Sequence, residues 1–376
     1  MNIFYYYWNE NPASDIIEAF KADGHTILMS DKIIRGYDDI EEADIAFKKY
    51  LMGEDAADMI YSFNYFPFLS GLAHKHSIPY VSWVYDCPHL TLYSTTVKNP
   101  GNRFYIFDRG LCSLAEKNGA KNVYHLPLAV NKCRLEELLK SEDDYRYDVT
   151  FVGSLYSENM YDQVSYLPGY VRGFIDSLIS SQQRLWGIDL VSELLNDKIV
   201  SGMEKYILID TDPRYSYTKK DIFTDFITKK ICNTERVNLL SKIKGLTLFT
   251  GDDCKKYPAL QPRGTVDYIN EMPRVFHQSK INLNISLRSI RSGIPLRAMD
   301  IMGAGGFLLS NYQPELEEYF INGTDYVFFE DEDDMLQKID HYLSCDDERE
   351  AIAKNGQKKV FDNFTYNKAI KNFYEK

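Results

Sequence analysis

The feature that most constrains this chain is a rhythm. Short apolar runs alternate with amphipathic helical segments through both of its halves. In the first half, residues 2–8, 58–63, 80–85, 103–107 and 122–126 read as strands, and residues 14–23, 68–76 and 109–118 as helices between them. Gly24 and Gly119 follow two of these helices, as expected of a residue that ends a helix in the left-handed conformation. Strands separated by helices pair in parallel, because a parallel neighbour is reached only by a crossover. The helices then cover both faces of the sheet.

A polar, charged stretch at residues 140–146 interrupts the rhythm and reads as a linker. A second series follows, with strands at 147–152, 246–250, 281–285, 307–310 and 325–329, and helices at 271–279, 296–302, 332–343 and 348–363. Between residues 157 and 245 the pattern is helical and belongs to neither series. A structureless loop of that length is implausible, so this segment reads as a helical insertion in the C-terminal domain. The expected organisation is an N-terminal domain at 1–140, a C-terminal domain at 147–363, and a tail at 364–376 that packs back on the first domain. A chain of 376 residues suits two domains.

Composition excludes some functions. There are 43 lysines and arginines against 55 aspartates and glutamates, a net charge of −12, so no basic surplus exists to displace counterions from nucleic acid. The six cysteines are scattered without a CxxC pair and read as reduced thiols. The N-terminal stretch lacks the cationic start and apolar core of a signal peptide. No run approaches the ~20 apolar residues of a membrane span. A cytoplasmic location without a transmembrane segment is expected. The 29 tyrosines suit contacts with polar ligands such as sugars, though skewed codon usage gives the same excess.

Residues 291–320, RSGIPLRAMDIMGAGGFLLSNYQPELEEYF, carry the chemistry. Pro295 suits the first turn of a helix and Gly293 permits a tight approach to it. A helix start presents unpaired N–H groups and a positive dipole end, which together bind phosphate. Arg291 lies before that start, Arg297 in its first turn, and Arg288 completes a local cation cluster. Cations there oppose the dipole unless an anion sits among them; the plain alternative is a solvated basic face. Asp300 shares a helix face with Arg297 and can accept hydrogen bonds from ribose hydroxyls, or simply pair with the arginine. Gly303, Gly305 and Gly306 serve close packing of helix and strand.

In the first half, Trp83, Asp86 and His89 lie near the end of one strand, where ligands collect in α/β sheets. Asp86 is the candidate general base, with His89 and His125 as competitors; the alternative for Asp86 is a turn aspartate before Pro88. Other motifs are set aside. Asp210 and Asp212 imitate a metal-binding DxD but sit in the helical segment, and His74 and His76 have the wrong spacing for one helix face. The acidic run at 330–334 reads as a solvated helix start, and Ser154 after Gly153 is not a hydrolase elbow.

Residues 264–320, from GTVDYINEMPRVF to the stretch above, resemble the donor-binding half of GT-B glycosyltransferases. The match is nearest to the spore-maturation-protein-like group, distant relatives of family 4. Residues 78–89, IPYVSWVYDCPH, and 104–131 resemble the domain that accompanies it, so the resemblance covers most of the chain apart from the insertion. It implies two Rossmann-like α/β domains facing a cleft, with a nucleotide-sugar held by the C-terminal one. The diphosphate falls on Gly293 and the following backbone, the ribose on Asp300, the base near 266–268 including Tyr268, and the first glycine turn on Gly153 and Ser154. Ser292 stands where relatives carry a carboxylate that contacts the donor sugar, so neither the sugar nor a retaining mechanism carries over.

The implied activity is transfer of a hexose or N-acetylhexosamine, from a UDP-sugar to a hydroxyl of a protein or glycan. It is expected to run in a bacterial cytoplasm without metal or other cofactor, with homo-oligomers forming through the insertion. The alternatives are a nucleotide-sugar epimerase or phosphorylase of the same fold, and a non-catalytic nucleotide-sugar-binding partner module.

Overall fold

The computed structural model describes residues 1–140, 144–164, 166–185 and 188–374, so the expected linker lies partly outside the described residues. Two compact units emerge. The first takes Met1–Asn131, Asp212–Ser216 and the chain from Asn363 on; the second takes Lys132–Thr211 and Tyr217–Asp362. The first boundary thus falls at Asn131, ahead of the polar stretch. The helix Lys132–Leu139 packs against the helix Met272–His277, and Arg134 donates to the Ile269 carbonyl at 2.7 Å, which ties it to the second unit. Residues 212–216 count with the first unit because Tyr215 bridges to Ser94 and its hydroxyl donates to Asp38 at 2.7 Å.

In the first unit six parallel strands, β1 (Asn2–Tyr5), β2 (Thr26–Met29), β3 (Met59–Phe63), β4 (Tyr80–Val84), β5 (Asn102–Ile106) and β6 (Val123–His125), run in the order β2-β1-β3-β4-β5-β6. β3 and β4 are buried along their whole length, as expected of parallel strands covered on both faces. The edge strand β2 is half exposed and has no sequence signal of its own. β1 ends before Trp8, the end expected for it: Tyr6 N still bonds to Tyr61 O at 2.9 Å, then Asn9 turns the chain at φ 72°. From the tail, Tyr366 and Phe373 lay their rings on Trp83 at 5.9 and 5.7 Å.

The second unit has five parallel strands, β7 (Tyr147–Val152), β8 (Leu246–Phe249), β9 (Ser279–Asn284), β10 (Leu308–Asn311) and β11 (Val327–Phe329), in the order β11-β10-β9-β7-β8. Phe151, Leu248, Ile281, Leu283 and Leu309 form the centre of its core. Between β7 and β8 stand helices that bury a separate apolar cluster including Val171, Ile175, Phe223, Ile227 and Ile231. The longest, Lys219–Leu240, starts on a reciprocal cap between Thr218 and Asp221. No helix among the described residues is long and apolar enough to cross a membrane.

Each sheet reverses its winding once. β2 lies on one side of β1 and β3 on the other; β8 lies on one side of β7 and β9 on the other. The crevices beyond the carboxyl ends of β1/β3 and β7/β9 are therefore where each unit is built to receive a ligand.

Candidate functional site

In the second unit, β7 runs directly into Gly153, whose φ is 149°. A Cβ at this position would lie 2.3 Å from Nη2 of Arg297, so glycine is what allows that guanidinium to lie against the turn. Arg297 belongs to the helix Leu296–Gly303, which starts after Pro295 in extended conformation. Ala298 N and Met299 N bond back to Pro295 O at 2.9 and 3.4 Å. The N–H groups of Leu296 and Arg297 find no acceptor among the described residues.

The Arg297 guanidinium donates to Asn284 Oδ1 at 3.3 Å and lies 4.9 Å from the centre of the Phe151 ring. Among the described residues it has no carboxylate within ion-pair distance. A second guanidinium, Arg236, lies 5.3 Å from the same ring. Burial, and after it the charge of Arg236, push the pKa of Arg297 down to about 9. A partly buried guanidinium with no ion-pair partner carries a desolvation cost that is not repaid. One neutral hydrogen bond and an aromatic face do not offset that, so the position calls for an anion.

The turn itself is firmly held. Asp252, just after β8, accepts from Leu155 N (2.8 Å), Ser157 N (2.7 Å), Ser154 Oγ (2.9 Å) and Thr250 Oγ1 (2.9 Å). Burial alone would raise its pKa, but the amides of Ser157 and Leu155 outweigh it and bring it to about 2. Ser154, expected to touch the donor, thus directs its hydroxyl to Asp252. Arg236, 2% exposed, donates to the carbonyls of Ser154 and Ile285 and so ties the β7 turn to the end of β9.

The other two arginines of the expected cluster have carboxylate partners from the helical segment. Arg288 binds buried Glu235 through Nε (3.2 Å) and Nη2 (2.6 Å), and donates to Leu185 O at 3.0 Å. Burial raises the Glu235 pKa against the pull of Arg288. Arg291, exposed, donates to Asp189 at 2.8 Å. Asp189, Ser286, Arg288, Arg291, Asn311 and Gln313 line a cavity of about 290 Å³. Gly293 is buried, and Ser292 donates to Glu315 at 2.7 Å, so a carboxylate from elsewhere in the chain stands beside the serine. Asp300, 8% exposed, accepts from the Tyr268 hydroxyl at 3.2 Å, which joins two residues read separately as ribose and base contacts.

In the first unit, Asn64 takes a left-handed conformation at the end of β3 (φ 60°). Its amide donates to Asp86 Oδ2 at 2.6 Å and its carbonyl accepts from Tyr85 N and Asp86 N at 3.1 and 3.2 Å. Burial raises the Asp86 pKa and the Asn64 bond opposes the rise. His89 Nε2 lies 3.0 Å from Tyr65 N and 2.7 Å from Thr91 Oγ1, and burial lowers its pKa to about 4. Its ring is neutral at pH 7 and brackets the chain. His125 Nε2 lies 3.3 Å from Phe107 O. Of the motifs set aside, Asp212 pairs with Arg214 at 2.6 Å, His76 with Asp44 at 2.6 Å, and Asp331 caps the helix Glu332–Ser344.

Sequence reasoning missed Asn284, Asp252, Glu235 and Arg236. For the last two a signal existed. Phe223, Ile227 and Ile231 set a stripe at every fourth residue, and Glu235 falls on it with Arg236 beside it. Charges on the buried stripe of a helix require partners.

Comparison with known proteins bears on the fold. Residues 236–375 match the family described as glycosyl transferase-like. No curated protein matches the chain. Sucrose-phosphate synthase from Thermosynechococcus elongatus superposes with a TM-score of 0.53 at 12% identity, covering 100% of this chain and 98% of that one. HepE of Anabaena, solved with UDP-glucose, gives 0.53 at 9% identity over 100% and 98%. AviGT4, a glycosyltransferase involved in avilamycin A biosynthesis, gives 0.52 at 9% over 100% and 96%. Two parallel-sheet α/β domains of this kind are the GT-B fold of glycosyltransferases.

Proposed function

We propose that this protein transfers a sugar from a UDP-sugar to an acceptor hydroxyl. The carrying observation is the position of Arg297, a guanidinium held against the Gly153 turn beside a helix start, with no carboxylate within ion-pair distance among the described residues. A pyrophosphate supplies that balance. Its oxygens accept from Arg297 and from the free N–H groups of Leu296 and Arg297, next to Gly293 and Ser154. As the glycosidic bond breaks, negative charge grows on the leaving diphosphate, and fixed donors aimed there stabilise the transition state. The positive charge comes from the protein, so this reading needs no metal. The complex of HepE with UDP-glucose supports the choice of nucleotide.

Asp300, steadied by Tyr268, takes the ribose, and the Tyr268 side of the pocket takes the base. Arg288 and Arg291 flank the diphosphate. Asp86 removes the acceptor proton. Its raised pKa, caused by burial against the opposing Asn64 bond, makes its carboxylate a stronger base than an ordinary one. His89 holds the segment that carries Asp86. Such a base is what a transfer that inverts the anomeric centre requires. The transferred unit in this reading is a hexose or N-acetylhexosamine, the setting is the bacterial cytoplasm, and the group is the spore-maturation-protein-like one.

Calorimetry with UDP tests the reading, with expected binding in the micromolar range that Arg297→Met weakens. Absence of UDP binding at millimolar concentration refutes it. Incubation with UDP-glucose alone is the companion assay: epimerised nucleotide without acceptor would replace transfer by epimerisation.

A further inference from the structure

Beyond the strand ends of the first unit lies a row of aromatic rings that the donor chemistry does not use. We infer that Trp8 and Tyr85 form a stacking platform for an uncharged saccharide, which is the acceptor. This rests on the transfer activity proposed above and specifies its acceptor.

The platform sits where the sheet winding reverses, at the carboxyl ends of β1, β3 and β4. Tyr37 stacks on Phe66 at 6.0 Å, Phe66 meets Trp8 edge-on at 6.0 Å, and Trp8 stacks with Tyr85 at 6.4 Å and 23°. Trp8 and Tyr85 are half-buried and Tyr37 is 56% exposed, in contrast to Trp83, which is 0% exposed and belongs to the core.

The rings are fixed from behind. Trp8 Nε1 donates to Phe63 O at 3.0 Å and Trp8 N to Glu10 at 2.9 Å, while the Tyr5 hydroxyl holds the other Glu10 oxygen at 2.5 Å. Phe63 meets Tyr85 edge-on at 5.5 Å. Little side-chain freedom remains to be lost on binding.

A sugar ring has an apolar face of C–H groups and a rim of hydroxyls. The electron-rich face of Trp or Tyr attracts partially positive C–H groups, by the same quadrupole that attracts cations. The rim then needs polar partners. The Tyr85 hydroxyl has no partner among the described residues, and Asp86 commits only Oδ2, to Asn64. A hydroxyl and a free carboxylate oxygen beside a ring suit vicinal sugar hydroxyls. Along the row the charged side chains are mostly acidic, Asp86 beside Tyr85, buried Glu10 beside Trp8, and Asp38 and Asp39 against one Arg35 beside Tyr37, so a phosphorylated or otherwise anionic acceptor is disfavoured. A row of rings also suits a chain of sugars better than a single one.

Saturation-transfer NMR and calorimetry of the full chain with the methyl glycosides of glucose, galactose, mannose and N-acetylglucosamine, and with cellobiose, test the inference. Binding of at least one sugar is expected, with the disaccharide tighter than methyl glucoside and glucose 6-phosphate weaker. Trp8→Ala should weaken it at least tenfold and Trp8→Phe much less, with UDP affinity unchanged. Should Trp8→Ala fail to fold, Tyr85→Phe, which removes only a hydroxyl, is expected to cost three- to tenfold. The inference is overturned if no sugar of the panel binds, if binding survives both variants unchanged, or if a serine-containing peptide binds there in its place. Sugar binding without UDP binding would sink the transferase reading alone; UDP binding without sugar binding would sink the platform alone.

Discussion

Replacing Arg297 by methionine should make the unliganded protein more stable and the liganded one weaker. Burial, together with Arg236, brings this guanidinium from its ordinary strongly basic value down to about 9. At ~1.4 kcal/mol per pH unit, the charged form is disfavoured by on the order of 5 kcal/mol. Water at the half-buried side chain reduces that to about half. Methionine gives up the Asn284 bond and the Phe151 contact, about 1 kcal/mol together. The net gain is about 1–2 kcal/mol, a rise of about 1–3 °C in Tm. The folded pKa lies below the unfolded one, so the cost is present in full below pH 9 and fades only as the pH rises above it. The gain should therefore be flat from pH 6 to 8. UDP binding moves the other way: losing a charge-assisted bond of about 1.5–3 kcal/mol weakens Kd by roughly 10- to 150-fold. Urea unfolding without ligand and calorimetry with UDP measure the two halves. A variant that is less stable without ligand, or that binds UDP within twofold of wild type, refutes the argument.

Gly153→Ala brings a Cβ to 2.3 Å from Nη2 of Arg297 in a conformation that side chains rarely adopt; melting and UDP titration should show a loss of about 1–3 kcal/mol in stability and a Kd at least about tenfold weaker. Asp252→Ala should cost about 2–3 kcal/mol at pH 7. Because the folded pKa of Asp252 is about 2 against an ordinary 3.8, the difference from wild type should persist above 3.8 and shrink as pH falls towards 2, read by urea unfolding across pH. Glu235→Leu strands the Arg288 charge and should cost about 3–5 kcal/mol, while adding Arg288→Met should recover most of it in thermal unfolding. Asp86→Asn should lower transfer by about 10²- to 10⁴-fold with UDP affinity intact, and the wild-type rate should fall on acidification at a pH above the ordinary carboxylate range.

Much of the fold was legible because parallel strands buried on both faces are continuous apolar runs, as MIYSF and YVSWV are. β2 was not, since a four-residue edge strand with half its side chains in water has no distinguishing pattern. The domain boundary was read from polarity at 140–146, whereas packing of the helix Lys132–Leu139 on the second unit decides it. At the site, Gly153, Arg297, Asp300 and Tyr268 were singled out because each breaks or punctuates a local pattern, and the structure gathers them in two contacting pairs. The partners that hold them were hidden by sequence distance. Asn284, the last residue of β9, and Asp252, just after β8, look like ordinary polar residues until the sheet order sets them beside β7. The three arginines that seemed equivalent differ for the same reason: Glu235 and Asp189, far along the chain, neutralise two of them.

A crystal structure of the protein grown with UDP tests the central claim most directly. Phosphate oxygens are expected about 3 Å from the Arg297 guanidinium and from the amides of Leu296 and Arg297, over the Gly153 turn. A diphosphate bound elsewhere, with Arg297 still resting on Asn284 and Phe151, would contradict it.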